Sequence, residues 1–80
     1  MKYSVGDFYR VIWLESEFIY QILDVSGDTL TTRKFCIRGT FKGKIYIAPV
    51  KKTSQTEQNW YKITLEEFDE STNEIKAGLL

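Results

Sequence analysis

The sequence predicts a mainly β fold, a small five-stranded SH3-like and partly open barrel with a short C-terminal helix. Five segments rich in aromatic and β-branched residues recur at spacings of roughly 8–12 residues, separated by polar or glycine-containing breaks. The chain has 80 residues, of which 15% are aromatic, which suits one small hydrophobic core. Because a curled sheet hides its edges and its aromatic rings together, a barrel is the economical arrangement at this length.

Three strands are predicted in the N-terminal half, over residues 8–13, 18–25 and 29–37. The polar residues 14–17 separate the first two strands. The segment 26–28 has the glycine and the length of a β-hairpin connection between the second and third. The second and third strands are therefore predicted to form a β-hairpin.

Two more strands are predicted after a glycine-containing loop at 38–43. Residues 44–48 alternate, with Ile45 and Ile47 on one face and Tyr46 on the other. Pro49 predicts the end of this strand or an edge position, because proline has no N–H to donate. Residues 51–59 are polar and predict an exposed loop, and 60–63 predict the fifth strand.

A helix is predicted from Thr64, which has a glutamate, Glu67, three residues later in the spacing of a capping box. Leu65, Phe68 and Ile75 are its predicted buried residues. We expect fraying within 69–73, so the predicted domain comprises residues 1–68, followed by an acidic helix end and tail over 69–80.

The formal net charge of zero conceals three segments of different sign. Residues 1–32 carry two basic and five acidic side chains, a net −3. Residues 33–56 carry seven basic and no acidic side chains, a net +7, and residues 57–80 carry two basic and six acidic ones, a net −4. We therefore predict separate charged surfaces.

The basic segment predicts weak, salt-dependent contact with nucleic acid through a basic β-hairpin. Cationic side chains neutralise phosphates, and aromatic rings stack on bases at about 1–3 kcal/mol per base. The predicted phosphate contacts are Arg33, Lys34, Arg38, Lys42, Lys44, Lys51 and Lys52, with Phe41 and Tyr46 stacking. No pattern predicts base readout, and a single strand and a duplex both stay open. In the alternative interpretation, Phe35 and Phe41 pack in the core and the lysines are solvated or pair with acidic groups.

The acidic C-terminal segment predicts a second function, binding to a protein. Its candidate contact residues are Glu66, Glu67, Asp69, Glu70 and Glu74. Together with an edge strand, they would suit an inhibitor or adaptor, for example a small phage or accessory regulator of a nucleic-acid enzyme. A solvated helix face is the simpler interpretation of the same charges. A monomer and a homodimer both stay open.

The residue types argue against catalysis, metals and cofactors. The chain has no histidine and one cysteine, Cys36, which excludes histidine-based acid–base chemistry, triads that use histidine and the usual zinc ligand sets. No phosphate-cradling glycine motif is present. Glu15 and Glu17 are two carboxylates in a polar break, which is typical of a solvated turn. We therefore predict a non-enzymatic binding module without cofactor or metal, in which Cys36 is a small buried hydrophobe.

A cytoplasmic location is expected. No segment approaches the roughly 20 apolar residues of a membrane helix, and the first residues lack the apolar core of a signal peptide. A single reduced cysteine suits this compartment. No membrane partner is predicted.

Residues 5–37 resemble the opening of Tudor and SH3-like small barrel domains. The resemblance lies in FYRVIW at 8–13, FIYQILDV at 18–25 and GDTLTTR at 27–33, where a tryptophan and a following aromatic residue flank a short acidic loop. The resemblance implies a barrel fold. It also implies that Trp13, Phe18 and Tyr20 stand where those families build an aromatic pocket for methylated lysine or arginine.

Overall fold

One antiparallel sheet forms most of the structure, a computed structural model that describes residues 3–52 and 59–78. The elements are β1 (Phe8–Trp13), β2 (Ser16–Ser26), β3 (Thr29–Arg38), β4 (Ile45–Lys51), β5 (Asn59–Ile63) and α1 (Leu65–Gly78). The strand order is β4-β3-β2-β1-β5, so β4 and β5 are the edges. The predicted five strands and C-terminal helix are confirmed, but the sheet does not close into a barrel.

The inner face of the sheet holds the larger hydrophobic core. Its buried residues are Tyr3, Tyr9, Val11, Phe18, Tyr20, Ile22, Leu30, Cys36 and Val50. The ring centroids of Tyr20 on β2 and Trp60 on β5 lie 5.1 Å apart, although β1 lies between these strands. The sheet must therefore curl around this face, because a flat sheet would hold two strands on either side of a third farther apart.

The opposite face, here called the helix face, packs against α1. Its buried residues are Ile19, Phe35, Ile63 and Phe68. The Phe68 ring stacks on Phe8 at 4.2 Å between centroids and meets Phe35 edge-on at 5.3 Å. Phe68 therefore joins the helix to both β1 and β3.

The capping box is confirmed at the start of α1. The Thr64 N–H donates to Glu67 Oε1 at 3.2 Å, and the Glu67 N–H donates to Thr64 Oγ1 at 3.1 Å. These two reciprocal bonds satisfy backbone donors that the first helical turn leaves without partners.

The prediction that the helix frays within 69–73 is wrong, because α1 is continuous to Gly78. Tertiary contacts hold this stretch in place. Arg10 donates a hydrogen bond to the Ser71 hydroxyl at 3.3 Å, and Thr72 is fully buried. Of the predicted buried residues, Phe68 is confirmed and Ile75 is partly buried, whereas Leu65 is 58% exposed.

The strand that contains Pro49 ends later than predicted. β4 continues through Pro49 to Lys51, and among the strands of residues 3–52 and 59–78 it pairs with β3 alone. The predicted edge position is thus confirmed, and an edge tolerates a residue without an N–H. Of the predicted loop at 51–59, residues 53–58 lie outside the described residues.

Candidate nucleic-acid interface

The seven predicted basic contact residues fall into three groups. Arg33, Lys34 and Arg38 lie on β3, Lys42 and Lys44 lie in the β3–β4 loop, and Lys51 and Lys52 lie at the far end of β4. The lysines of the second and third groups flank the edge strand β4. The first group lies on β3, which has a neighbouring strand on each side.

The two arginines of β3 contact other polar side chains. Arg33 donates a hydrogen bond to Gln21 Oε1 at 3.3 Å, and Arg38 pairs with Glu17 at 3.5 Å. Glu17 also pairs with Arg10 at 3.4 Å. One carboxylate therefore offsets part of the charge of the basic segment.

Lys34 occupies a different environment, between two tyrosine rings on the inner face. Its Nζ lies 4.8 Å from the ring centroid of Tyr20 and 5.9 Å from that of Tyr46. Burial lowers the pKa of Lys34 from its ordinary value. Among residues 3–52 and 59–78, no acceptor lies within hydrogen-bond distance of this ammonium group.

The β3–β4 loop presents an aromatic ring and two lysines to solvent. Phe41 is 50% exposed, and Lys44 Nζ lies 5.2 Å from its ring centroid. Backbone hydrogen bonds fix the loop, from the Gly43 N–H to the Cys36 carbonyl and from the Cys36 N–H to the Lys44 carbonyl. Phe41 is therefore not a core residue, whereas Phe35 is buried as the alternative interpretation expects.

Tyr46 lies beyond this loop on β4, where 41% of it is exposed. We call the combined surface the lysine–aromatic edge; it comprises Phe41, Lys42, Lys44, Tyr46, Lys51 and Lys52. The seven residue steps from Lys44 to Lys51 span about 23 Å at about 3.3 Å per residue. The edge thus offers cationic groups at both ends and aromatic rings near one end and within the strand.

The three residues of the aromatic pocket that the Tudor resemblance implies differ in their exposure to solvent. Trp13 is exposed at the end of β1, whereas Phe18 is buried and Tyr20 is only 3% exposed. Burial, followed by the charges of Tyr46 and Cys36, raises the pKa of Tyr20. In this arrangement the ring of Trp13 is the accessible one of the three, and a methylated ligand stays a prediction.

The predicted protein-partner residues Glu66, Glu67, Asp69, Glu70 and Glu74 are all exposed on α1. Asp69 pairs with Lys76 on the same helix at 3.3 Å. Glu74 lines a cavity of about 390 Å³ together with Ile75, Gly78 and two residues of the β3–β4 loop, Lys42 and Gly43. The acidic helix therefore ends beside one part of the lysine–aromatic edge.

The arrangement around Lys34 could not be found from sequence spacing. Tyr20 pairs with Lys34 across β2 and β3, and Lys34 pairs with Tyr46 across β3 and β4. Only the strand register places these three side chains in one row. Along the chain, Lys34 lies fourteen residues after Tyr20 and twelve residues before Tyr46, and no local pattern indicates that the three side chains meet.

Other site types find little support in the described ranges. Within residues 3–52 and 59–78, no three or more Cys, Asp or Glu side chains group together as metal ligands. Cys36 is fully buried and forms no disulfide, which confirms its prediction as a small buried hydrophobe. In the same ranges, none of the helical structure combines the length and apolar character needed to cross a bilayer.

Comparison with protein-family models, curated proteins and solved structures finds no significant match to this chain.

Proposed function

We propose that this protein is a non-enzymatic module that binds single-stranded nucleic acid along the lysine–aromatic edge. The observation that carries the proposal is the pairing of lysines with accessible rings. Lys44 lies beside the half-exposed Phe41, and Lys34 lies beside the exposed Tyr46.

The chemistry of this edge suits a polyanion with flat bases. Lysine ammonium groups at both ends of β4 would neutralise phosphates and release counterions, which makes binding dependent on salt. The rings of Phe41 and Tyr46 would stack on bases in a sequence-tolerant manner. Neither contribution needs a catalytic group or a cofactor.

A single strand suits these rings better than a duplex. Bases within a duplex have their faces covered by neighbouring base pairs, so an exposed ring gains little from them. In a single strand the faces are available, and a ring on an edge strand can reach them without entering a groove. We therefore favour single-stranded DNA or RNA over the duplex that the sequence left open.

Fluorescence anisotropy with a labelled oligonucleotide of about 12 nucleotides tests the proposal. If Lys42, Lys44, Lys51 and Lys52 each neutralise one phosphate, the affinity should fall about 50-fold between 50 and 200 mM salt, because each single-strand contact contributes about −0.7 to the log–log slope. A duplex of the same length should bind more weakly. No binding at 50 mM salt, or no loss of affinity at 200 mM, would rule the function out.

Matched double variants localise the contact. Lys42→Gln with Lys44→Gln removes two positive charges from the lysine–aromatic edge and should weaken binding about tenfold or more at low salt. Lys62→Gln with Lys76→Gln removes the same charge from residues that pair with Asp7 and Asp69 instead. The second double variant should change the affinity by less than the first. Equal losses would indicate attraction by total charge rather than contact with this edge.

A protein-binding role is the second candidate, and the exposed side chain of Ile47 on the edge strand β4 favours it. A partner could add a strand at this edge and cover Ile47, with the acidic residues of α1 supplying further contacts. Ile47→Lys should abolish strand addition, since a charge on an edge strand opposes such pairing. The same change should preserve or strengthen binding to an oligonucleotide, so the two functions give opposite results.

A further inference from the structure

We propose that Lys34 reads the base that stacks on Tyr46 and that the protein therefore prefers thymine or uracil to bases with an exocyclic amine at the same position. This inference rests on the proposed function, because it requires a single strand on the lysine–aromatic edge. It adds base selection to a surface whose other contacts are independent of sequence.

The strand register places the ammonium group beside the stacking ring. Lys34 lies in the central strand β3 and is directly opposite Tyr20 on one side and Tyr46 on the other. Its Nζ is closer to the buried ring, at 4.8 Å from Tyr20, than to the exposed one, at 5.9 Å from Tyr46. The ring of Tyr46 thus keeps accessible surface while a fixed cation lies next to it.

The ammonium group of Lys34 is partly buried beside two tyrosine rings and can donate hydrogen bonds to a ligand. It carries three N–H donors, and no residue in the described part of the chain offers an acceptor within hydrogen-bond distance. Its nearest partners are the faces of the two rings, which attract a cation but accept no conventional hydrogen bond. A partly buried ammonium beside an accessible ring is a suitable recognition group for a ligand acceptor, because part of its desolvation cost is already met in the free protein.

Lysine can only donate, and this restricts the base edges it can accept as partners. Thymine and uracil present the O4 carbonyl, whereas cytosine and adenine present an amine there that would direct its hydrogens toward the ammonium. Stacking alone gives a different order, since the larger adenine ring covers more of a tyrosine than thymine does. The two mechanisms therefore predict opposite preferences between thymine and adenine.

Three oligonucleotides of equal length and charge test the inference by anisotropy at fixed salt. They contain only thymine, only 5-methylcytosine or only adenine. Thymine and 5-methylcytosine share the methyl group and similar stacking, but an N4 amine replaces the O4 acceptor in 5-methylcytosine. We expect the thymine strand to bind about tenfold more tightly than the 5-methylcytosine strand and more tightly than the adenine strand. Equal affinities for thymine and 5-methylcytosine would overturn the inference.

Variants then assign the preference to Lys34. Lys34→Met keeps a long side chain without donors and should bring the thymine to 5-methylcytosine ratio to within about twofold of unity. Lys34→Arg keeps donors and should retain a preference for thymine. Lys44→Gln should weaken binding to both strands and leave their ratio unchanged. A ratio that survives Lys34→Met would overturn the role of Lys34, and circular dichroism would establish that each variant is folded.

The failure of this inference differs from the failure of the function. An absence of binding to all three oligonucleotides overturns both proposals. Salt-dependent binding without discrimination between thymine and 5-methylcytosine overturns base selection by Lys34 alone and leaves the lysine–aromatic edge as a sequence-independent surface.

Discussion

Gly39 lies where the β1–β2 turn meets the end of β3. Its φ is +119°, and a Cβ at this position would overlap Ser16 Oγ and lie 3.1 Å from Ser16 Cα. Gly43, in the same loop, also has a positive φ, +93°, but a Cβ there would meet open space. Alanine variants at these two positions therefore separate the cost of backbone strain, which both share, from the cost of overlap with Ser16, which only Gly39 has.

We expect Gly43→Ala to lower the free energy of unfolding by about 1–2 kcal/mol, through the left-handed backbone alone. Gly39→Ala should cost about 1–3 kcal/mol more, because overlap with Ser16 adds to the strain. Urea denaturation of both variants measures the difference. Equal losses would contradict the close contact between Gly39 and Ser16.

Alkaline pH should destabilise the fold through its tyrosines. The pKa of four tyrosines is raised in the folded state, and burial is the largest cause for each of them: Tyr3, Tyr9, Tyr20 and Tyr46. Unfolded tyrosines lose their protons near pH 10 while the folded ones keep them, so stability is full below pH 10 and falls as the pH rises above it. Lys34 has the opposite sign, since burial lowers its pKa and stability rises slightly toward pH 10.5.

The measurement is the urea midpoint between pH 8 and pH 11.5. We expect a plateau up to about pH 10 and a steep decrease beyond it. Tyr20→Phe should make the decrease shallower, because burial raises the pKa of Tyr20 more than that of the other three tyrosines. An unchanged pH profile in this variant would contradict the burial of the Tyr20 hydroxyl in the folded state.

At the scale of elements, Phe68 is the buried apolar side chain through which α1 packs against the sheet, beside the Arg10–Ser71 hydrogen bond and the buried Thr72. Phe68 is buried against Phe8 and Phe35, whereas Leu65, one turn earlier, is 58% exposed. We expect Phe68→Ala to lower the free energy of unfolding by about 3–5 kcal/mol. Leu65→Ala, which removes a similar apolar side chain from the same helix, should change it by less than about 1 kcal/mol.

Urea denaturation of the two helix variants checks this difference. A loss of about 3–5 kcal/mol is a large part of the stability of a domain of this size, so a chemical chaperone such as trimethylamine oxide would keep the Phe68 variant measurable. Similar losses in both variants would mean that α1 is held by its whole length rather than by Phe68.

The elements themselves were predictable because their signals are local. Runs of aromatic and β-branched residues, glycine turns and the Thr64–Glu67 capping box indicate strands, connections and a helix start without reference to the rest of the chain. The end of α1 was not predictable, because Ser71 and Thr72 are poor helix formers by themselves and gain their stability from Arg10 and from burial. Tertiary contacts overrode local propensity there.

The curl of the sheet and the side-chain rows across it were also beyond local reasoning. Register shifts between Glu17 and Phe18 and between Ile22 and Asp24 alter which residues face each other on β2 and β3. Such bulges increase twist and re-aim side chains, and their positions depend on the paired strand. The row that contains Lys34 follows from this register, so the sequence predicts Lys34 as a phosphate contact but not its tyrosine neighbours.

At the scale of the whole molecule, the balance of charge follows the topology. The sequence predicted that a neutral total hides a basic middle segment, but not which basic residues stay available. Glu17 contacts Arg10 and Arg38, so part of the acidic N-terminal segment offsets part of the basic one. The lysines that flank β4 lie at the opposite edge from β5, and Glu74 of α1 lines the same cavity as Lys42. The distribution of charge is therefore a property of the sheet order and of the helix position as much as of composition.

The most direct test of the lysine–aromatic edge is chemical-shift mapping of the ¹⁵N-labelled protein with an oligonucleotide of about 12 thymines at low salt. We predict that the largest shifts lie at residues 41–46 and at Lys51 and Lys52, with small shifts on α1, and that they diminish as salt is added. Shifts confined to α1, or no shifts at a saturating concentration, would contradict nucleic-acid binding at this edge.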